Sequence, residues 1–527
     1  MATTTAEPQP TRRERSDDQS DFRAFDKGID RNSPRTAIKA GGYEDAVNIL
    51  LTGASSGKHP TSLLLDSELD SGVTWPPQNP QWCAPFSYSV YDEATQVLSF
   101  NTQLLVARAR GHYHSYISGS PGTVASVRRV SQTLGTNPNV WQINSFVYDQ
   151  WLCTVDGRNA PMKYGQHFFD ASGHTTPYLF PIGSLPISPL VGAIAGAETW
   201  AFSSTGEFET DAQLITDGIG TGARVATHSL RIAPSETVRL TFNAARDFVT
   251  GPAPYASRDF VNTDSIQFQY YKVADAGGLT IRFYKTYNTV YRTYTSTTTT
   301  TGAWTLDSLV RTGADTGGFV DADLGAITDI EFISSDAANS TYVDDLYFLY
   351  SDAPPAAQVG VAHKDRIVLG GAPLIGTSPS LGTLIYSNAE APDNFATAGI
   401  NNTQAIGGGA ESLAKTNQIT ALREYQDSVI VGTPGAIFAW TVGPTGTPAR
   451  STVSTEHGID SQRGVIETPN GALLFPWQRG IYILRATGRQ FIGAKIQPFL
   501  ANVATDDMSW TMAVLDEKTK TIRFWFR

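Results

Sequence analysis

Apolar and polar residues alternate along most of this chain in short windows, and Gly, Pro, Asn and Asp cut one window from the next. From Asp21 onward the windows run about five to eight residues, and a period of two over that length predicts strands with one wet face. Clear instances are Gln103–Arg108, Ile143–Tyr148, Arg366–Leu369, Ser428–Val431, Ala436–Thr441, Ala472–Phe475 and Ile481–Arg485. They predict recurring hairpins. Ser428–Val431, the turn GTPG and Ala436–Trp440 form one; Leu473–Phe475, PWQRG and Ile481–Leu484 repeat it about 45 residues on. Looser copies are Arg366–Leu369 with Thr383–Tyr386, Ile143–Tyr148 with Trp151–Val155, and Leu98–Tyr116.

Four-stranded units recurring every ~40–50 residues are the sequence signature of propeller blades. About 350 residues outside the N-terminal tail and a distinct central block hold roughly six or seven such units at that period. The central block differs. It carries longer alternating strands, Ile266–Tyr270, Leu279–Phe283, Ile327–Phe332 and Tyr342–Leu349, and a Tyr- and Thr-dominated pair within Tyr284–Trp304. About 150 residues of alternating strands suit a jelly-roll sandwich, and prolines flank it at 181, 186, 189, 354 and 355. The expected fold is all-β: a six- or seven-bladed β-propeller with an inserted jelly-roll β-sandwich. Its parts are a disordered N-terminal tail at 1–20, propeller at 21–196, sandwich at 197–352 and propeller again at 353–527.

Composition agrees. Hydrophobic residues are 41% of the chain and charged residues only 17%, with Thr, Ser, Gly, Asn and Gln filling the difference, as in wet-faced strands and tight turns. The net charge of −11 is concentrated: residues 198–351 hold 10 basic and 19 acidic side chains, and the remainder is nearly neutral. No basic stripe is present, which argues against static nucleic-acid binding, while a neutral or acidic lining would let DNA slide past without trapping it. Cys83 and Cys153 are too few for a disulfide framework and read as small buried hydrophobes. The opening residues lack the apolar core of a secretory signal, and no run approaches the ~20 apolar residues of a membrane span, so membrane insertion is not expected.

Several stretches resemble propeller-type tail proteins of bacterial viruses: AFDKGIDRNSPRTAIKAGGYEDAVNIL (24–50), VWQINSFVYDQWLCTVDGRNAPMKYG (140–165), VGVAHKDRIVLGG (359–371) with LIYSNAEAPDNF (384–395), YQDSVIVGTPGAIFAWT (425–441) and GIDSQRGVIETPNGALLFPWQRGIYIL (458–484). The resemblance implies a virion tail or neck subunit, assembled in the host cytoplasm. It would form a homo-oligomeric ring around the DNA path and contact other tail, portal or adaptor proteins. DNA would pass through transiently, during ejection, without specific binding. GAWTLDSLV (302–310), GGFVDADLGAITDIEF (317–332) and YVDDLYF (342–348) resemble instead the later strands of carbohydrate-binding jelly rolls. That likeness implies a host-surface glycan as partner, and a structural calcium held near Glu207, Glu209 and Asp211 and by Asp344 and Asp345.

Candidate chemistry is sparse, and no catalytic residue or organic cofactor is expected. His112 and His114 share one strand face, but two ligands are too few for a metal site. Asp70–Trp75 matches half of an Asp-box turn, a structural motif, and the Gly407–Gly409 run lacks the Lys-Ser/Thr of a phosphate cradle. Glu236, Asp247 and Asp259 would serve glycoside hydrolysis only if two carboxylates stood about 5–10 Å apart. Asp365 and Arg366 read as a pair tying adjacent blades or subunits together. The sequence therefore points to a non-catalytic virion structural protein, with a glycan-binding adhesin as the alternative and a propeller glycosidase behind it.

Overall fold

In the computed structural model the described residues are almost all antiparallel β-structure. They comprise strands within 49–58, 80–132 and 198–210 and, with interruptions, residues 143–188, 228–246, 265–395 and 408–526. The expected tail at 1–20 and the Asp70–Trp75 turn lie outside them. Among the described residues no sheet closes into a barrel.

Among the described residues five sheets are four-stranded meanders in strict chain order. The first runs Pro80–Asp92, Val97–Arg108, His112–Ser118, Val124–Gln132; the second Asn144–Tyr148, Trp151–Val155, Met162–Gly165, Tyr178–Pro181. The third is Val359–His363, Arg366–Ile375, Ser378–Tyr386, Gly409–Ser412, and the fourth Ala421–Tyr425, Ser428–Gly432, Ile437–Val442, Pro448–Ser454. The fifth is Ile466–Glu467, Leu473–Trp477, Gly480–Arg485, Gly488–Phe491. Two two-stranded sheets, Ile49–Thr52 with Ser55–Lys58 and Met512–Asp516 with Thr521–Trp525, stand at the two ends of this series.

The meanders pack face on face in sequence order, and the residue pattern explains why. Trp151–Val155 is buried at every position because its two faces feed different junctions. Leu152 joins Phe86 and Leu105 of the first sheet, whereas Trp151, Cys153 and Val155 join Ile367 and Leu369 of the third. Strand Arg366–Ile375 repeats the alternation, turning Val368 toward Val429, Val431 and Trp440 of the fourth sheet. Ala421, Tyr425 and Ile430 of that sheet meet Leu473 and Phe475 of the fifth, whose Leu474 and Ile483 meet Ile522 and Phe524 of the last hairpin. Strands packed on both faces read as unbroken apolar runs; outer strands such as PARSTVS stay polar and exposed.

Polar ties register the junctions. Trp440 Nε1 donates to Glu411 at 2.7 Å, Tyr425 donates to the Gly471 carbonyl at 2.9 Å, and Trp477 Nε1 donates to the Pro434 carbonyl at 2.9 Å. Between the second and third sheets, Asn144 Nδ2 donates to the Gln358 carbonyl at 2.8 Å. These two sheets therefore meet directly although about 180 residues separate them in the chain.

The intervening residues form a two-sheet sandwich. One sheet has the order Glu207–Thr210, His228–Ile232, Thr341–Leu349, Ser265–Lys272, Trp304–Val310; the other has Glu198–Phe202, Thr237–Arg246, Ile327–Ser334, Leu279–Thr286, Val290–Thr295, Ala314–Thr316. Alternate residues from both, among them Phe268, Ile281, Phe283, Phe332, Leu240 and Phe348, fill a single core. Each such side chain contributes about 1.5–3 kcal/mol on burial, which is why the period of two was so legible here.

Strand Ser184–Ser188, which precedes the expected boundary at 197, bonds to Thr341–Leu349 with Ser184 opposite Leu349. The incoming and outgoing strands of the sandwich thus lie side by side. At their root Gly183 sits at φ +82°, and a Cβ there would stand 2.7 Å from Ala353. Beside it Lys163, 2% exposed, donates to Asp393 Oδ2 at 2.5 Å and to the Ser184 carbonyl at 3.0 Å. The Gly183 N–H donates to Asp393 Oδ1 at 2.8 Å, and the Lys163 ammonium lies 4.3 Å from the centre of the Trp151 ring. One ion pair joins the second sheet, the third sheet and the sandwich.

Candidate functional site

The outer face of the sandwich sheet containing Leu279–Thr286 carries a dense cluster of aromatic and charged side chains. Core-facing Leu279, Ile281 and Phe283 oblige Thr280, Arg282 and Tyr284 to point the other way. Register then builds two cross-strand rows. In one, Arg239, Glu331, Arg282 and Thr293 stand opposite one another in turn; in the next, Thr241, Asp329, Tyr284 and Tyr291 do. The turn after Thr286 adds Tyr287, 37% exposed, with Asn288 beside it at φ 60°.

The rows are tightly cross-linked. Tyr284 donates to Glu331 Oε2 at 2.5 Å, Arg282 Nη1 donates to the same oxygen at 3.2 Å, and Tyr287 donates to Oε1 at 3.5 Å. Asp329 accepts from Thr241 at 2.6 Å and from Thr328 at 2.8 Å, with Arg239 Nε at 3.8 Å. The Tyr284 ring lies 5.1 Å from Tyr287 and 4.8 Å from Tyr291, centroid to centroid. Arg239 stacks 4.2 Å over Tyr287 and Arg282 5.3 Å over Tyr291. Burial, then the Glu331 carboxylate, raises the Tyr284 phenol above its ordinary range, so it stays a hydrogen-bond donor. The carboxylates lie beneath at 7–8% side-chain exposure, and the guanidiniums stand above at about a third. On the core side of the same sheet, over Phe319, Arg292 binds Asp315 of the outer strand and Asp321 of the turn that follows it, each at 2.5 Å, and Lys285 binds Asp323 of that turn at 2.5 Å.

Tyr284 itself is buried, and above it the partly exposed Tyr287 and Tyr291, framed by fixed guanidiniums, are a surface for stacking and hydrogen bonding to a polar ring compound. Sequence reading noted the Tyr and Thr enrichment but not Arg239, Arg282, Asp329 or Glu331. Residues 239, 282 and 331 become neighbours only through strand pairing, and no local spacing signals it.

The residues singled out from sequence are dispersed. Asp344 stands opposite Gln269 on Thr341–Leu349, with a bulge following, and Glu209 stands opposite Ser229 on the outermost strand. The side chains of Glu209, Asp344 and Asp345 lie outside the described residues, as does Asp211. Among the described residues no three His, Cys, Asp or Glu side chains gather as for a metal ion. Asp365 occupies a hairpin turn at φ 57°, and its carbonyl accepts from Tyr148 at 3.1 Å, linking the third sheet to the second. Arg366, 2% exposed, donates to the Ser387 carbonyl at 2.6 Å. Glu236 lies in the turn before Thr237–Arg246, where its carbonyl accepts from Ser334; Asp247 and Asp259 fall outside the described residues, as do Gly407 and the side chains of His112, His114 and Cys83. Cys153 is buried and free, its thiol raised by burial.

No family model matches the sequence, and no curated protein matches it. Among solved structures, TmCBM61 in complex with β-1,4-galactotriose is similar at 10% identity, covering 29% of this chain and 88% of its own, with a TM-score of 0.19. The family 11 carbohydrate-binding module of the cellulosomal cellulase Lic26A-Cel5E of Clostridium thermocellum is similar at 11% identity, covering 32% and 96%, with a TM-score of 0.21. The Endo-D glycoside hydrolase domain of Streptococcus pneumoniae R6 reaches 9% identity over 49% and 37%, with a TM-score of 0.20. At these scores none of them assigns a fold or a ligand to this chain.

Proposed function

We propose that this chain is a non-catalytic glycan-binding protein whose sandwich presents the ligand surface on a scaffold of stacked four-stranded sheets. The observation that supports this is the gathering of the partly exposed Tyr287 and Tyr291, packed over the buried Tyr284, with Arg239 and Arg282 on one outer sheet face. Tyrosine faces stack on sugar C–H surfaces, and guanidinium donors bond ring substituents. Affinity electrophoresis of the full chain through gels holding a panel of neutral and acidic polysaccharides tests it. Retardation by at least one polymer, lost by tenfold or more in Tyr287→Ala, is expected. Migration unaffected by every polymer would reject the reading.

A second reading keeps the scaffold in view. Consecutive meanders stacked face on face, with the series continuing across the sandwich, suit the blades of a propeller, and the two terminal hairpins would together make one further four-stranded unit. Such a propeller would serve as a wedge in a homo-oligomeric ring of a virion tail or neck, reading host glycans through the sandwich. Native mass spectrometry of the full chain separates the readings: a closed ring favours the virion subunit, a monomer the free adhesin.

A further inference from the structure

We infer that the glycan taken by the tyrosine face is an acidic one, bearing carboxylates as in a polyuronate; this rests on the glycan-binding reading above. The basis is the balance of donors and acceptors. Glu331 is already occupied by Tyr284 and Arg282 on one oxygen and by Tyr287 on the other. Asp329 is occupied by Thr241 and Thr328, with Arg239 beside it. The carboxylates of the face are thus used internally and lie beneath it, while its outward charged groups are guanidiniums. Arg239 and Arg282 are each about one-third exposed, and both have N–H groups left after these contacts, since a guanidinium carries five. A surface whose outward charged groups are all donors favours an anionic acceptor, and carboxylate fits a guanidinium fork in bidentate fashion.

Spacing points the same way. Arg239 and Arg282 flank Glu331 in one cross-strand row, and two strand intervals of about 4.8 Å place their backbones roughly 10 Å apart. That is close to the length of a disaccharide, so carboxylates on every second sugar would reach both guanidiniums while the intervening ring covers the tyrosines. The segment's excess of 19 acidic over 10 basic side chains repels a polyanion at long range, but screening over about 8 Å at physiological salt leaves the contact row to decide.

The test uses the full chain in EDTA, with polygalacturonate and alginate set against their carboxyl-reduced counterparts in affinity electrophoresis. Binding to at least one charged polymer, tenfold or more tighter than to its reduced form, is expected. Arg239→Gln and Arg282→Gln should each narrow that ratio at least threefold, with the melting temperature measured alongside to exclude misfolding. Equal binding of charged and reduced polymers, or retention by neutral polysaccharides alone, would overturn the acidic class and leave glycan binding standing. Failure to bind any polysaccharide would overturn both.

Discussion

Removing the Asp393 carboxylate should be among the most damaging single changes in the chain. Asp393 is 4% exposed and is the carboxylate partner of an ammonium that is itself 2% exposed; it also accepts the Gly183 N–H. Deleting one member of a buried ion pair strands the other, at a cost of about 3–5 kcal/mol, and an orphaned backbone N–H adds about 1–3 kcal/mol. Asp393→Ala should therefore lose at least 3 kcal/mol, and Asp393→Asn, which keeps an acceptor for Gly183, somewhat less. The loss should depend on pH in a set direction. Burial already outweighs the attraction of Asp393 and holds the Lys163 amine below its ordinary range; without Asp393 that amine falls further. The unfolded chain then binds the extra proton near neutrality, so the variant regains stability as pH rises from 7 toward 10. Lys163→Met combined with Asp393→Leu should recover most of the loss, because no charge remains buried. Urea unfolding followed by tryptophan fluorescence reads all of this, with Trp151 stacked on the lysine as a local reporter. A cost below 1 kcal/mol for Asp393→Ala, or one that does not vary with pH, would refute the reasoning.

Burial raises the Asp460 carboxyl to about 6, opposed in part by the Gln478 N–H it accepts. Its folded value lies above its unfolded one, so stability should fall as pH rises from about 4 to 6, by up to about 3 kcal/mol; Asp460→Asn should flatten that slope in a thermal melt taken across pH. The turns centred on Lys364–Asp365, Gln426–Asp427 and Gln478–Arg479 hold non-glycine residues at φ between 43° and 61°. Asp427→Gly should accordingly stabilise by about 0.5–1 kcal/mol or leave stability unchanged, whereas Asp427→Val should cost more than 1 kcal/mol in urea melts.

The sandwich strands Ile266–Tyr270, Leu279–Phe283, Ile327–Phe332 and Tyr342–Leu349 were legible because one face of each fills a core with apolar side chains and the other carries mainly polar ones, which is what alternation encodes. The meander hairpins were legible for a different reason: their inner strands pack on both faces, so WLCTV and LLF read as short apolar runs bounded by turns, although Pro476 and Trp477, expected in the turn, continue the strand. What could not be read was anything set by register. Arg239 and Glu331 lie 92 positions apart and Arg282 stands between them in sequence, yet pairing puts all three in one row. Lys163 lay equally hidden, because a lysine in a strand reads as a solvent-facing residue until its partner 230 residues away is placed beside it. The turns HKDR, YQDS and WQRG lack the Asn-Gly or Asp-Gly signal of a tight hairpin, and their left-handed residues are tolerated because the flanking strands are held by the stack.

The adjacency of Ser184–Ser188 and Thr341–Leu349 has a mechanical consequence. Both strands are anchored to the scaffold at the same end, Ser184 opposite Leu349. A pull on the sandwich loads them as two parallel tethers, each in tension along its own covalent backbone. The hydrogen bonds between the tethers carry little of that load, since neither strand is drawn past the other. Force is instead delivered to the root, where Lys163, Asp393 and Gly183 hold the tethers to two neighbouring sheets. Traction on the sandwich therefore converges on that buried knot and not on the hydrogen bonds between the two tethers.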